Sequence, residues 1–269
     1  MSTAVTAELA DAAFGGNPAR WPLPAADAPH DLWLRAVAAA GQGRYAFALA
    51  DLATVLRRTP TGRLASLAHS TRASFLRQLG WHDTARGFDG RAWALSGGAG
   101  EAAADALIGL AADALGVGRF AASERALARA AEIVAEVIVA EVDAPRLPVR
   151  LAWVSAELAM VRGDGARAVS FARQAVDLAE ATRSVRHRVK SCIVAAAAHC
   201  SAGDFDSSRE LADAALAATE EFGLVPLRWA AASLLADIGS HAVPETQVVA
   251  IRDHAATNVT RWGGVWRSR

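Results

Sequence analysis

Few residues in this 269-residue chain have types and spacing suited to chemistry. Cys192, His199 and Cys200 are soft-metal ligand types. His199 and Cys200 are neighbours on what reads as one helix, so they point about 100° apart and do not clamp one ion. A buried Cys is also a common apolar filler. Cys192 and Cys200 lie eight residues apart, roughly 12 Å along a helix, too far for a disulfide, which suits a reducing compartment. Gly97-Gly98-Ala99-Gly100 suggests a phosphate loop, but Glu101 and Asp105 follow with no nearby cation, so it reads as a linker. Arg162-Gly163-Asp164 reads as a turn. The seven histidines are scattered, and nucleophile-elbow, P-loop, His-Glu-x-x-His and Cys-x-x-Cys patterns do not occur. The expectation is a protein with no catalytic residues, no metal and no cofactor.

Two groups of side chains point to binding instead. Arg183, Arg186, His187, Arg188 and Lys190 form the one basic cluster. The chain as a whole balances 28 basic against 28 acidic residues, so a solvated loop and first helical turn is the favoured reading, and nucleic acid is disfavoured as a partner. The second group is aromatic and emerges only from the elements that position it.

Those elements are helices. About a quarter of the chain is Ala, aromatics reach 6% and prolines number 9, a composition that favours close-packed helices and an all-α fold. A pattern recurs of an Ala-rich helix, a Gly, a polar or aromatic pair and a small residue opening a second helix. The glycines are Gly43, Gly80, Gly118, Gly163, Gly203 and Gly239, at intervals of 37, 38, 45, 40 and 36 residues. Seven residues before them stand Ala36, Ala73, Ala111, Ala156, Ala196 and Ala232. Five residues after the first five stand Ala48, Ala85, Ser123, Ala168 and Ser208. A left-handed cap costs Gly no Cβ clash, so each Gly ends a helix. The small residues mark close helix crossings, and stacked pairs cover one another's apolar faces.

From about Asp31 to Thr260, the small Ala, the Gly-x-aromatic turn (Gly43-Arg44-Tyr45, Gly118-Arg119-Phe120, Gly203-Asp204-Phe205) and the following small residue resemble the tetratricopeptide repeat (TPR) family. Arg35 and Arg72 replace the family's first-helix Leu, the closing Pro occurs only as Pro60, and the intervals are longer than usual. The resemblance implies a right-handed solenoid of antiparallel helix pairs, about five to six repeats, with twelve to thirteen helices in all. Residues 1–30 read as an N-terminal extension with a short helix, Val5 to Phe14, and a Pro-rich segment. Residues 31–261 form the repeat domain, with pairs near 31–61, 62–98, 99–143, 146–182, 184–221 and 224–261. The third pair has a long second helix, Phe120 to Val142. Residues 262–269 are a tail carrying Trp262, Trp266 and arginines.

Ten residues before the six glycines stand Trp33, Ser70, Ile108, Trp153, Ile193 and Trp229. In the family this part of the first helix faces the concave groove, where peptides bind, so these six and the tail's Trp262 and Trp266 are the candidate binding residues. The competing expectation is that the tryptophans pack between helices. The tail tryptophans serve either as a cap on the last pair or as partner anchors. The function expected is a non-catalytic scaffold or adaptor binding a protein or peptide segment; the alternative is a regulatory sensor subunit that binds a small molecule or signal peptide and controls a separate effector. The start of the chain has no secretory pattern, and no apolar stretch reaches about 18 residues, so a cytoplasmic protein without membrane insertion is expected. The Arg bias, with Lys190 the only lysine, suggests a bacterial source.

Overall fold

A computed structural model describes residues 2–140 and 144–268. Among these the chain is all-α, with thirteen helices and no strand. An N-terminal helix α1 (Ser2–Phe14) precedes six pairs: α2 (Pro29–Gly41) with α3 (Tyr45–Arg58), α4 (Gly62–Gln78) with α5 (His82–Leu95), α6 (Gly100–Gly116) with α7 (Phe120–Val139), α8 (Arg146–Val161) with α9 (Gly165–Glu180), α10 (Val185–Ser201) with α11 (Phe205–Glu221), and α12 (Val225–Ile238) with α13 (Glu245–Arg261). Helix α7 is the longest at 20 residues; the expected extension to Val142 falls at its end on residues outside those described.

The turn chemistry follows the glycines. All six have positive φ, from 74° to 89°. At the first five turns the amide after the Gly closes back onto the carbonyl five residues earlier, as in Arg44 N to Ala39 O at 2.9 Å and Asp204 N to His199 O at 3.0 Å, which satisfies carbonyls left free by the helix end. Side chains cap three helix starts: Asp164, Ser184 and Asp204 accept the amides of Arg167, His187 and Ser207. The small residues occupy the crossings. Ala36, Ala73, Ala111, Ala156, Ala196 and Ala232 are each 0% exposed, as are Ala48, Ala85, Ser123, Ala168 and Ser208.

Consecutive helices pack pairwise. In addition the even-numbered helices touch one another in series, α2 on α4, then α6, α8, α10 and α12, whereas the odd-numbered helices beyond α3 make no comparable contacts with each other. The core is therefore a string of clusters along the even layer. The chain ends also meet. Leu9, Ala12 and Ala13 of α1 are buried in one cluster with α2 and α3. Val185 N donates to Gly15 O at 3.1 Å, Ala46 N donates to Trp262 O at 2.9 Å, and Arg267 N donates to Leu79 O at 2.9 Å. The extension and the tail thus join the first pairs to the last. No helix among the described residues is long and apolar enough to cross a membrane.

Candidate functional site

The eight sequence candidates do not form one surface. Trp33 is 5% exposed, and its indole N–H donates to Thr71 Oγ1 on α4 at 3.0 Å. Trp153 is 6% exposed and donates to Ser191 Oγ on α10 at 2.8 Å. In both, the Trp reaches 38 residues forward to the next even-numbered helix, so its ring is a packing element between neighbours. Ser70 is buried and donates to Asp89 Oδ1 at 2.8 Å; Ile108 is fully buried; Ile193 is half-buried between two core clusters. Trp229 stacks against Trp266 with ring centroids 4.5 Å apart, and Trp266 Nε1 donates to Ala256 O. Trp262 lies over Arg44, whose guanidinium also covers Trp21 at 3.8 Å. The tail covers part of the last pair and then crosses to the α4–α5 turn, where Trp81 Nε1 donates to Val265 O at 2.7 Å.

The basic cluster is also divided by helical periodicity. Arg183 is exposed, but Arg186, His187 and Lys190 turn inward, against the expectation of a solvated loop. Burial, then the neighbouring Arg186, Arg146, Arg150 and Lys190, push His187 well below the usual histidine range. Cys192 and Cys200 are free and half-buried, and no set of His, Cys, Asp and Glu among the described residues is grouped to hold a metal.

The apolar surface that remains open lies elsewhere. Helices α7 and α9 flank α8 without closing over it, leaving a groove of about 800 Å³. Leu127, Ala131, Val134 and Ile138 line the α7 wall at helical spacing, Leu151 and Ser155 lie on the α8 floor, and Phe171 stands on the α9 wall. Ile138 is 58% exposed and Val139 beside it is 84% exposed, unusual for such side chains. At one end Arg162 forks onto Glu124, Nη1 to Oε1 at 3.0 Å and Nη2 to Oε2 at 2.8 Å, which ties α8 to α7 and holds the Glu124 carboxyl below its usual range. The groove coincides with the longest glycine interval, the 45 residues from Gly118 to Gly163. The extra chain lengthens α7, and α7 packs on α8 as sparsely as α3 on α4 and more sparsely than α5 on α6 or α9 on α10. That interval was the available signal; the exposed face of α7 was not read from it.

An array of helical hairpins with an apolar groove between α7 and α9 is what this geometry defines. A scan against protein-family models finds no match, and a search of curated proteins finds no relative.

Proposed function

We propose that the chain is a non-catalytic cytoplasmic interaction module, a right-handed TPR-like solenoid whose groove between α7 and α9 receives an amphipathic helix of a partner protein. The observation that carries this is the groove itself. Its α7 wall carries Ala131, Val134, Ala135 and Ile138 at i, i+3, i+4 and i+7, its α8 floor carries Leu151, Ala152, Leu158 and Ala159 at helical spacing, and α9 adds Phe171, a surface that suits a further helix laid along it. Glu124, Arg162, Asp164 and Arg167 gather at one end of the groove and give its apolar centre a polar edge there, as interaction surfaces often have. The concave location expected from the family is less suitable. Trp33, Ser70, Ile108 and Trp153 are committed to contacts within the chain, and a ligand would have to break them.

A photo-crosslinking residue replacing Ser155, on the groove floor, tests the reading in the source cell. The expected result is a discrete protein adduct whose crosslinked peptide is an amphipathic helix, lost when Ala135→Arg blocks the groove wall. Equal adduct formation from a crosslinker replacing Arg57, on the exposed face of α3, would reject it.

A further inference from the structure

We infer that the even-numbered layer carries a second site, between α8 and α10, that binds the phosphoryl group of a small phosphorylated molecule. Its basis is four cations at matched positions on two adjacent helices. Arg146 and Arg150 stand one turn apart on α8; Arg186 and Lys190 stand one turn apart on α10. Arg146 and Arg186 each precede their turn Gly by 17 residues, and Arg150 and Lys190 by 13, so the repeat itself places them side by side. His187 interacts with all four, and its ring stacks on Trp153 at 5.3 Å.

The two pairs differ in their partners. Arg146 donates to Glu101 at 2.9 Å and Asp105 at 2.8 Å, and Arg150 also pairs with Asp105. The α10 pair has no carboxylate within ion-pair distance among the described residues. Arg186 donates to the backbone oxygen of Val37 at 3.2 Å, and the Lys190 ammonium lies 4.3 Å from the Trp153 ring centroid. Glu157 acts on Lys190 from beyond 4 Å; burial pushes the Glu157 carboxyl up and the Lys190 ammonium down, and each opposes the other's shift. Burial and the adjacent cations draw Arg150 and Arg186 down to about 10.

The walls are apolar. Phe14 from α1 lies 5.8 Å from both Arg146 and Arg186, and Trp153 lies beneath Lys190. Low-dielectric walls around like charges focus a positive potential. Arg186 and Lys190, with no carboxylate within ion-pair distance among the described residues, call for an anion, and a phosphomonoester supplies one near neutral pH. Arg supplies a planar fork and Lys a point charge, the usual donors to phosphate. The bulk of Phe14 beside Arg146 and Arg186 favours a small molecule over a polymer. This site is separate from the groove on α7–α9 and does not depend on it.

The test uses the full chain and inorganic phosphate as probe, against sodium chloride at matched ionic strength. Calorimetry should show saturable phosphate binding, weakened about tenfold or more by Arg186→Gln or Lys190→Met, since each removes a charge-assisted hydrogen bond, and unchanged by Arg57→Gln. Lys190 is the chain's only lysine, so its acylation by an amine-selective reagent, followed by mass spectrometry, reads the site without any mutation. Phosphate should slow that acylation saturably. Absence of saturable binding to the unaltered protein, or acylation at the same rate in phosphate and chloride, overturns the proposal. So does binding that survives both substitutions in folded variants.

Discussion

Two neighbouring stretches of the array solve the same packing problem in opposite ways. Between α4, α5 and α6 the helices are drawn together. A Cβ on Gly109 would lie 2.3 Å from Asp89, and one on Gly116 would lie 2.2 Å from the His82 ring. Closing the interface this far traps charge: Asp89 and Asp113 are fully buried, and Arg77 pairs with both while Ser70 donates to Asp89. Between α7 and α8 the packing is sparser, and apolar side chains such as Ile138 remain exposed. Close approach produces a locked ionic core. Looser packing leaves apolar surface for another molecule. A repeat array can therefore vary its packing locally, with the residues of the repeat left in place.

The sharpest way to break this comparison is to unlock the closed region. Arg77→Met removes the cation from two buried carboxylates, and losing one partner of a buried ion pair typically costs about 3–5 kcal/mol. Chemical denaturation should register a loss of that size. A loss below about 1 kcal/mol, the range of an exposed pair, would show that the network is solvated and the contrast false.

The next effect concerns the alanines. Ala73 and Ala196 sit at fully buried crossings, so Ala73→Leu and Ala196→Leu should each lower stability by about 1–3 kcal/mol through overpacking. Ala131 carries the same side chain but is exposed on the groove wall, and Ala131→Leu should stay within about 0.5 kcal/mol, as surface changes do. Thermal melts of the three variants, compared directly, check the assignment. Equal shifts in all three would mean that the groove closes in solution.

These alanines also show what the sequence made legible. The six alanines before the turns, the small residues after five of them and the six left-handed glycines were placed by periodicity alone, because each is required by a local geometry that recurs. The structure returns every one of them buried or left-handed. What does not recur could not be read in this way. Nothing near Arg77 in sequence announces Asp113, 36 residues away on another element. The inward turn of Arg186, His187 and Lys190 depends on the α1 end and α8 standing opposite them, and a net charge of zero suggested solvation instead. The tryptophans occupied the expected positions along their helices, but position did not decide which neighbour each ring would meet. Trp33 and Trp153 meet the next even helix, while Trp229 meets the tail.

A further effect should appear as a slope with pH. Burial raises Asp89 to about 7; Arg77 opposes the rise and the adjacent Asp113 adds to it. Asp113 is itself pushed up by burial, against Arg77. A carboxyl whose folded-state value exceeds its unfolded one binds more protons in the native state between the two values. Its contribution to stability is complete below the unfolded value near 3.8 and is lost as pH rises toward 7. Glu101 acts in the opposite sense: burial pushes it up, but Arg146 and Arg63 outweigh burial and hold it low, so its contribution is lost on acidification. That background is common to the parent and to Asp89→Asn, and it cancels in the difference between them. Unfolding free energies measured from pH 4 to pH 8 should therefore show the parent losing stability relative to Asp89→Asn as pH rises. A difference that stays constant across this range would mean that Asp89 is ionised throughout and fully matched by Arg77. The closed region would then differ from the groove in packing alone and no longer in the charge it conceals.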